Sequence, residues 1–212
     1  MKSLNILILV VFSITCIATT INAQTLYVNF IPHDNPTCTG PPSGMGWIFV
    51  TGPCIFFPDQ DNSYYFQVNA LRAGWKIFNE TEPLCKGNFT FGGYKNGTCI
   101  PNQSFIKGIE TPYSMITISD TPTKYAIPPN SVVMTRYASK SCAKREFQFN
   151  LYTTNGTVVT NTLNDSTETF SCPSSGEPTV NYCQENECKT TEISATCASD
   201  IDDSSYHSIF CS

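Results

Sequence analysis

The stretch Glu146-Phe147-Gln148-Phe149-Asn150-Leu151-Tyr152 decides the reading of the fold. Phe147, Phe149 and Leu151 alternate with Gln148 and Asn150, so an extended chain puts apolar groups on one face and polar groups on the other, the pattern of a half-buried strand. The run leads to Asn155-Gly156, the pair that most readily takes the positive φ angles of a tight hairpin turn, and Thr157-Val158-Val159-Thr160 reads as the returning strand. Outward from this hairpin, similar strand candidates occupy 25–31, 47–50, 64–68, 75–78, 104–109, 115–119 and 131–137. Between them stand Asn35-Pro36, Gly40-Pro41-Pro42, Gly52-Pro53, Gly92-Gly93, Asn96-Gly97 and Pro128-Pro129, which punctuate a chain as turns. Helical periodicity is almost absent. The expected fold is all-β, an antiparallel β-sandwich or barrel.

Charge divides the chain. Residues 24–160, the expected β-sheet body, carry ten basic and eight acidic side chains, whereas 161–212 carry only Lys189 against nine acids. Five cysteines between Cys172 and Cys211, among few large apolar groups, mark 161–212 as a disulfide-rich, acidic C-terminal segment packed on the body and held more by cross-links than by a core. Only 14% of the 212 residues are charged, against about 25% in an ordinary soluble domain, while Asn, Ser and Thr number 17, 20 and 26. The surface is therefore mostly neutral and hydroxylated. With a net charge of −5 and no run of Lys or Arg, a nucleic-acid partner is excluded, because phosphate backbones demand clustered cations.

Lys2 precedes an apolar run from Leu4 to Ala18, shorter than the ~20 residues of a membrane span, and Ile21-Asn22-Ala23 offers a cleavage site. Residues 1–23 thus read as a secretory signal peptide with Gln24 as the mature N-terminus; cleavage after Ala18 is the alternative. No other stretch approaches spanning length, and residues 208–212 lack the hydrophobic tail of a lipid-anchor signal. The expected location is secreted and extracellular, with no membrane span.

Eleven cysteines include Cys16 inside the signal, leaving Cys38, Cys54, Cys85, Cys99, Cys142, Cys172, Cys183, Cys188, Cys197 and Cys211. An even count in an oxidising compartment predicts five disulfides, and the tightest spacing, Cys183-x4-Cys188 with no neighbouring His, does not suit zinc. The connectivity stays open; pairing across turns favours Cys38 with Cys54 and Cys85 with Cys99. The odd count in the tail requires an outward partner, for which Cys142 is the candidate. Sequons at Asn79, Asn88, Asn96, Asn102, Asn155 and Asn164 predict N-glycans on most, not all, of these asparagines, and hence solvent-facing positions.

No catalytic residues are assigned. His33 and His207 are the chain's two histidines, neither sits in a recognisable nucleophile-activating setting, and no Gly-x-Ser-x-Gly occurs. Asp59-Gln60-Asp61-Asn62-Ser63 opens like a calcium loop, but Tyr64 and Ala70 stand where Gly and Glu are required, so it reads as a turn, and Asp200-Ile201-Asp202-Asp203 reads as acidic surface. No metal and no cofactor are expected. Trp47, Trp75, Tyr64, Tyr65, Phe56, Phe57 and Phe66 could stack on sugars, yet core packing is the stronger reading.

The run Gln24-Thr25-Leu26-Tyr27-Val28-Asn29-Phe30, Cys38-Thr39-Gly40, Gly44-Met45-Gly46, Gly52-Pro53-Cys54 and the Asn/Thr-rich composition resemble a family of secreted, cysteine-rich proteins of social amoebae, a domain of unknown function. The resemblance implies an extracellular glycoprotein of cell-cell signalling, adhesion or matrix, and supplies no catalytic residues. The function expected is that of a non-catalytic, disulfide-bonded binding factor for an extracellular protein or glycan. The alternatives are a secreted glycan-acting hydrolase and, more weakly, a structural coat component.

Overall fold

A computed structural model describes residues 24–57, 62–79, 84–122, 126–185, 187–199 and 205–212, without the side chains of 102 and 103. The expected signal peptide, the calcium-like residues 59–61 and the acidic run 200–203 lie outside the described residues.

The described chain is all-β and antiparallel, with a single short 3-10 turn at Lys144–Glu146 and no closed barrel. Its strands are β1 Tyr27–His33, β2 Met45–Val50, β3 Cys54–Phe56, β4 Ser63–Asn69, β5 Arg72–Phe78, β6 Phe89–Lys95, β7 Thr98–Ile106, β8 Ile109–Ser119, β9 Val132–Tyr137, β10 Phe147–Thr153, β11 Val158–Asn161, β12 Ser166–Ser171, β13 Thr179–Gln184, β14 Glu187–Glu192, β15 Ala195–Ser199 and β16 Tyr206–Cys211. They form a large eight-stranded sheet in the order β15-β16-β9-β10-β2-β1-β8-β7 and two four-stranded sheets, β3-β4-β5-β6 and β11-β12-β13-β14.

Alternation dictates the layering. On β1 and β2, Val28, Phe30, Met45, Trp47 and Phe49 point to one face and meet Ile55, Phe57, Tyr64, Phe66 and Ala73 from the β3–β6 sheet, so these two sheets form the sandwich. Phe49 stacks on Phe66 with ring centroids 4.2 Å apart and lies edge-on to Phe105 at 4.8 Å. The opposite face of the large sheet carries a smaller core of Tyr27, Ile48, Val50, Val133 and Tyr152, covered by Ala126 and Ile127 from the β8–β9 connection. Gly46 is the gap in that face: a Cβ there would run into the Tyr152 ring.

The deciding stretch departs from its sequence reading in three ways. First, β10 lies between β2 and β9 and is buried on both faces, with Asn150 and Tyr152 as inaccessible as Phe149. Thr135 Oγ1 donates to Asn150 Oδ1 at 2.7 Å, and Asn150 Nδ2 donates to the Pro122 carbonyl, so the polar residue enters the interior satisfied. Second, a bulge between Phe147 and Phe149 sends Phe147 to the smaller core instead of the face it was expected to share. Third, Asn155-Gly156 does turn, with Thr157 N donating to Thr154 O and Gly156 at φ +75°, but β11 pairs with β12 and not with β10. Both edges of β10 are already occupied, so a returning strand has no backbone partners and the chain leaves for another sheet.

Gly92-Gly93 is also no turn: both residues sit inside β6, where a Cβ on Gly92 would lie 2.5 Å from the Trp75 ring. The candidate 104–109 spans the end of β7, a tight turn and the start of β8; Gly108 there has φ +84° and abuts Asn161 and Leu163.

Five disulfides join the ten cysteines: Cys38–Cys99, Cys54–Cys85, Cys142–Cys197, Cys172–Cys211 and Cys183–Cys188. The odd count in the tail is resolved through Cys142. The neighbour pairings Cys38 with Cys54 and Cys85 with Cys99 do not form, for a simple reason. A whole strand, β2 or β6, runs between each pair and carries its ends about 20 Å apart, whereas a disulfide holds Cα atoms within about 6 Å.

Candidate functional site

The cleft richest in chemistry lies where β11 docks against the ends of β1, β2 and β8. It has a volume of about 390 Å³, and its walls include His33, Asp34, Glu110, Thr111, Thr157 and Thr160. Local hydrogen bonds fix its shape. Thr111 Oγ1 donates to the Met45 carbonyl at 2.8 Å, Gly44 N donates to Thr154 Oγ1 at 2.9 Å, and Thr162 N donates to the Gly108 carbonyl at 2.9 Å. The first two brace the large sheet itself, and the last ties the β11–β14 sheet to it through the tip of the β7–β8 hairpin.

His33 is 5% exposed, and its Nδ1 is buried with no hydrogen-bond partner. Burial pushes the imidazole below its ordinary range, only partly opposed by the neighbouring Asp34 carboxylate. The neutral ring thus forms part of the cleft wall. Asp34 and Glu110 are the two carboxylates that line the cleft, far apart in sequence and joined only by the pairing of β1 with β8. Carboxylates among hydroxyls suit hydrogen bonding to a hydroxylated ligand. His207 lies in β16, away from these walls.

The sequon asparagines fall outside the cleft. Asn79, Asn88, Asn96, Asn155 and Asn164 are all exposed; Asn102 is in β7, and its side chain lies outside the described residues. Three of them use only the amide oxygen: Asn96 Oδ1 accepts from Ile118 N, Asn155 Oδ1 from Cys172 N and Asn164 Oδ1 from Ser166 Oγ. Each leaves Nδ2, the atom a glycan would occupy, outside those bonds.

The expected aromatic set is divided by the sheet. Trp47, Phe57, Tyr64 and Phe66 are core, and Trp75 packs against it, while Tyr65 and Phe56 lie on the opposite, outer face of the β3–β6 sheet. The exposed rings among the described residues are ones the sequence reading did not single out, Phe91 at 80% exposure and Phe89 at 44% on this sheet and Phe210 at 43% on β16. The alternation of Phe89-Thr90-Phe91 was available as a signal, but the glycine pair that follows masked it as a turn. Charge is segregated as well. The strands of that sheet hold Arg72, Lys76 and Lys95 and no acid, whereas those of the β11–β14 sheet hold Glu168, Glu187 and Glu192 against Lys189. Among the described residues no group of three or more His, Cys, Asp or Glu is placed to hold a metal, and no helix is long and apolar enough to cross a membrane.

Comparison with known proteins follows this architecture. An uncharacterized protein of Dictyostelium discoideum is 25% identical over 170 residues, covering 74% of this chain and 55% of its own length, so the chain spans about half of that relative. No solved structure matches. The model of the family described as counting factor-associated protein A/B/C matches residues 1–211, and the chain belongs to that family.

Proposed function

We propose that the protein is a secreted, N-glycosylated, non-catalytic binding factor acting outside the cell in signalling between cells, in adhesion or in matrix. The observation that carries this reading is the pairing of all ten cysteines outside the expected signal into five disulfides, a state that persists in oxidising compartments. The exposure of five sequon asparagines and the family description, counting factor-associated, support it. A stapled β-scaffold holds its loops and outer faces rigid, which favours recognition of an extracellular protein or glycan. Fluorescently labelled protein is expected to bind living cells or isolated extracellular matrix saturably; no saturable binding to either would refute the reading.

The meeting of Asp34 and Glu110 in one cleft favours a second reading, a glycan-acting hydrolase. Turnover of a polysaccharide that disappears in both Asp34→Asn and Glu110→Gln would replace the binding reading with this one.

A further inference from the structure

The outer face of β4, β5 and β6 is arranged in rows. Register places Lys76 beside Tyr65 and Phe91, then Gly74 beside Gln67 and Gly93, then Arg72 beside Asn69 and Lys95. Side chains two residues apart on one face are separated by about 6.6 Å, so the glycine row forms the floor of a trough about 13 Å across. One wall is aromatic and cationic: Phe91 stands 80% exposed, and Lys76 Nζ lies 4.8 Å from the Phe89 ring centre and 5.9 Å from that of Tyr65. The other wall is cationic, and Arg72 donates to the Gly93 carbonyl at 3.3 Å.

The glycines separate structure from function. Gly93 is required by packing, since a Cβ there would lie 2.9 Å from the Ala73 carbonyl oxygen. Gly74 is not, because its Cβ would meet only ordinary contacts at 3.4 to 3.6 Å and its φ lies in the range open to any residue. A glycine in a central strand costs stability for no packing reason here, and the positions where strands carry one include sites of close approach by a ligand or another backbone. Residues 80–83, part of the β5–β6 connection and containing Glu80 and Glu82, lie outside the described residues.

We propose that this trough binds an anionic polysaccharide, its sugar ring stacked on Phe91 over the glycine floor and its sulfate or carboxylate groups held by Lys76, Arg72 and Lys95. The proposal rests on the reading of the protein as an extracellular binding factor and names a ligand class and a face for it. An exposed ring beside cations matches the two parts of such a ligand, the C–H face of a pyranose and its acid groups. An acidic peptide would use the cations and leave Phe91 idle.

The test is isothermal titration of the secreted glycoprotein with a sulfated hexasaccharide, its uncharged counterpart and a polyglutamate peptide of equal charge. The sulfated sugar is expected to bind at least tenfold more tightly than either control, and Phe91→Ala and Gly74→Val should each weaken it at least tenfold. Gly74→Ala, which fits without clash, should keep or raise thermal stability while still weakening binding, so a folding defect is distinguished from a blocked trough. Equal affinity for polyglutamate, unchanged affinity in Phe91→Ala, or binding that appears only after enzymatic removal of the N-glycans would overturn the proposal. So would concentration-dependent self-association abolished by Lys76→Glu, which would assign the face to the acidic sheet of a second copy. If the labelled Phe91→Ala and Gly74→Val variants bind cells as well as the wild type, the trough falls and the extracellular binding reading stands. If wild type binds the sulfated sugar but no cells or matrix, that reading falls instead.

Discussion

Removing the Cys38–Cys99 bridge should cost the fold far more than removing Cys183–Cys188, and the difference follows from loop length. The first closes 61 residues, but the Cys54–Cys85 bridge inside it already constrains 31 of them, leaving an effective loop of about 30 residues in the unfolded chain. Chain-entropy arithmetic then gives about 4 kcal/mol for Cys38–Cys99 and about 2 kcal/mol for Cys183–Cys188, whose separation is 5. The second figure is an upper bound for the global fold, because no residue of β13 or β14 is fully buried and their opening is local. The variants are the paired alanine replacements, alanine being chosen because Cys38 is buried and a serine hydroxyl there would need a partner. Urea unfolding without reductant, followed by the fluorescence of Trp47 in the core, reads the global transition. With a slope of about 2 kcal/mol per molar, the Cys38/Cys99 variant should unfold about 2 M earlier than wild type, and the Cys183/Cys188 variant no more than about 1 M earlier. Equal losses, or a larger loss for Cys183/Cys188, would refute both the connectivity and the placement of the core.

Three further outcomes are expected. Phe49→Ala removes a fully buried ring packed against Phe30, Phe66 and Phe105, and should cost about 3–5 kcal/mol in the same urea assay; a loss below about 1 kcal/mol would mean the two sheets do not meet there. Gly46→Ala drives a methyl into the Tyr152 ring and should cost about 1–3 kcal/mol, with the loss reduced in a Tyr152→Leu background; equal costs in both backgrounds would contradict the contact. His33 is held below its ordinary pKa of 6.5, so the unfolded chain binds its proton more readily and stability falls as pH drops below about 6.5. His33→Gln should flatten that part of the stability profile, and an unchanged slope in the variant would show that the ring is not buried as described.

Period-two alternation made the strand class legible, since a face that must be buried writes itself into the sequence wherever one side stays polar. It failed where both sides are buried: in β10 the polar Asn150 reads as solvent-facing, yet Thr135 and the Pro122 carbonyl satisfy it inside. Both Asn-Gly pairs lead to strands in other sheets, because a turn sets a local angle while a free sheet edge decides the partner. The working β4–β5 hairpin instead turns at Ala70-Leu71, with Ala70 at φ +52°, which no glycine signals. The disulfide map was hidden for a related reason, the distance a strand carries two cysteines that are near in sequence. The cleft carboxylates Asp34 and Glu110 and the trough glycine Gly74 become visible only once register is known.

The claim that this chain is an exported, stapled binding factor is tested most directly by the intact mass of protein purified from culture medium. The measurement is made after thiol alkylation without reductant, before and after deglycosylation. The expected protein begins at Gln24, loses glycan mass on deglycosylation, takes up no alkylating reagent and yields the linked peptide pairs Cys38–Cys99, Cys54–Cys85, Cys142–Cys197, Cys172–Cys211 and Cys183–Cys188. A protein that keeps residues 1–23, carries no glycan and alkylates at its cysteines would contradict the extracellular assignment and the binding function built on it.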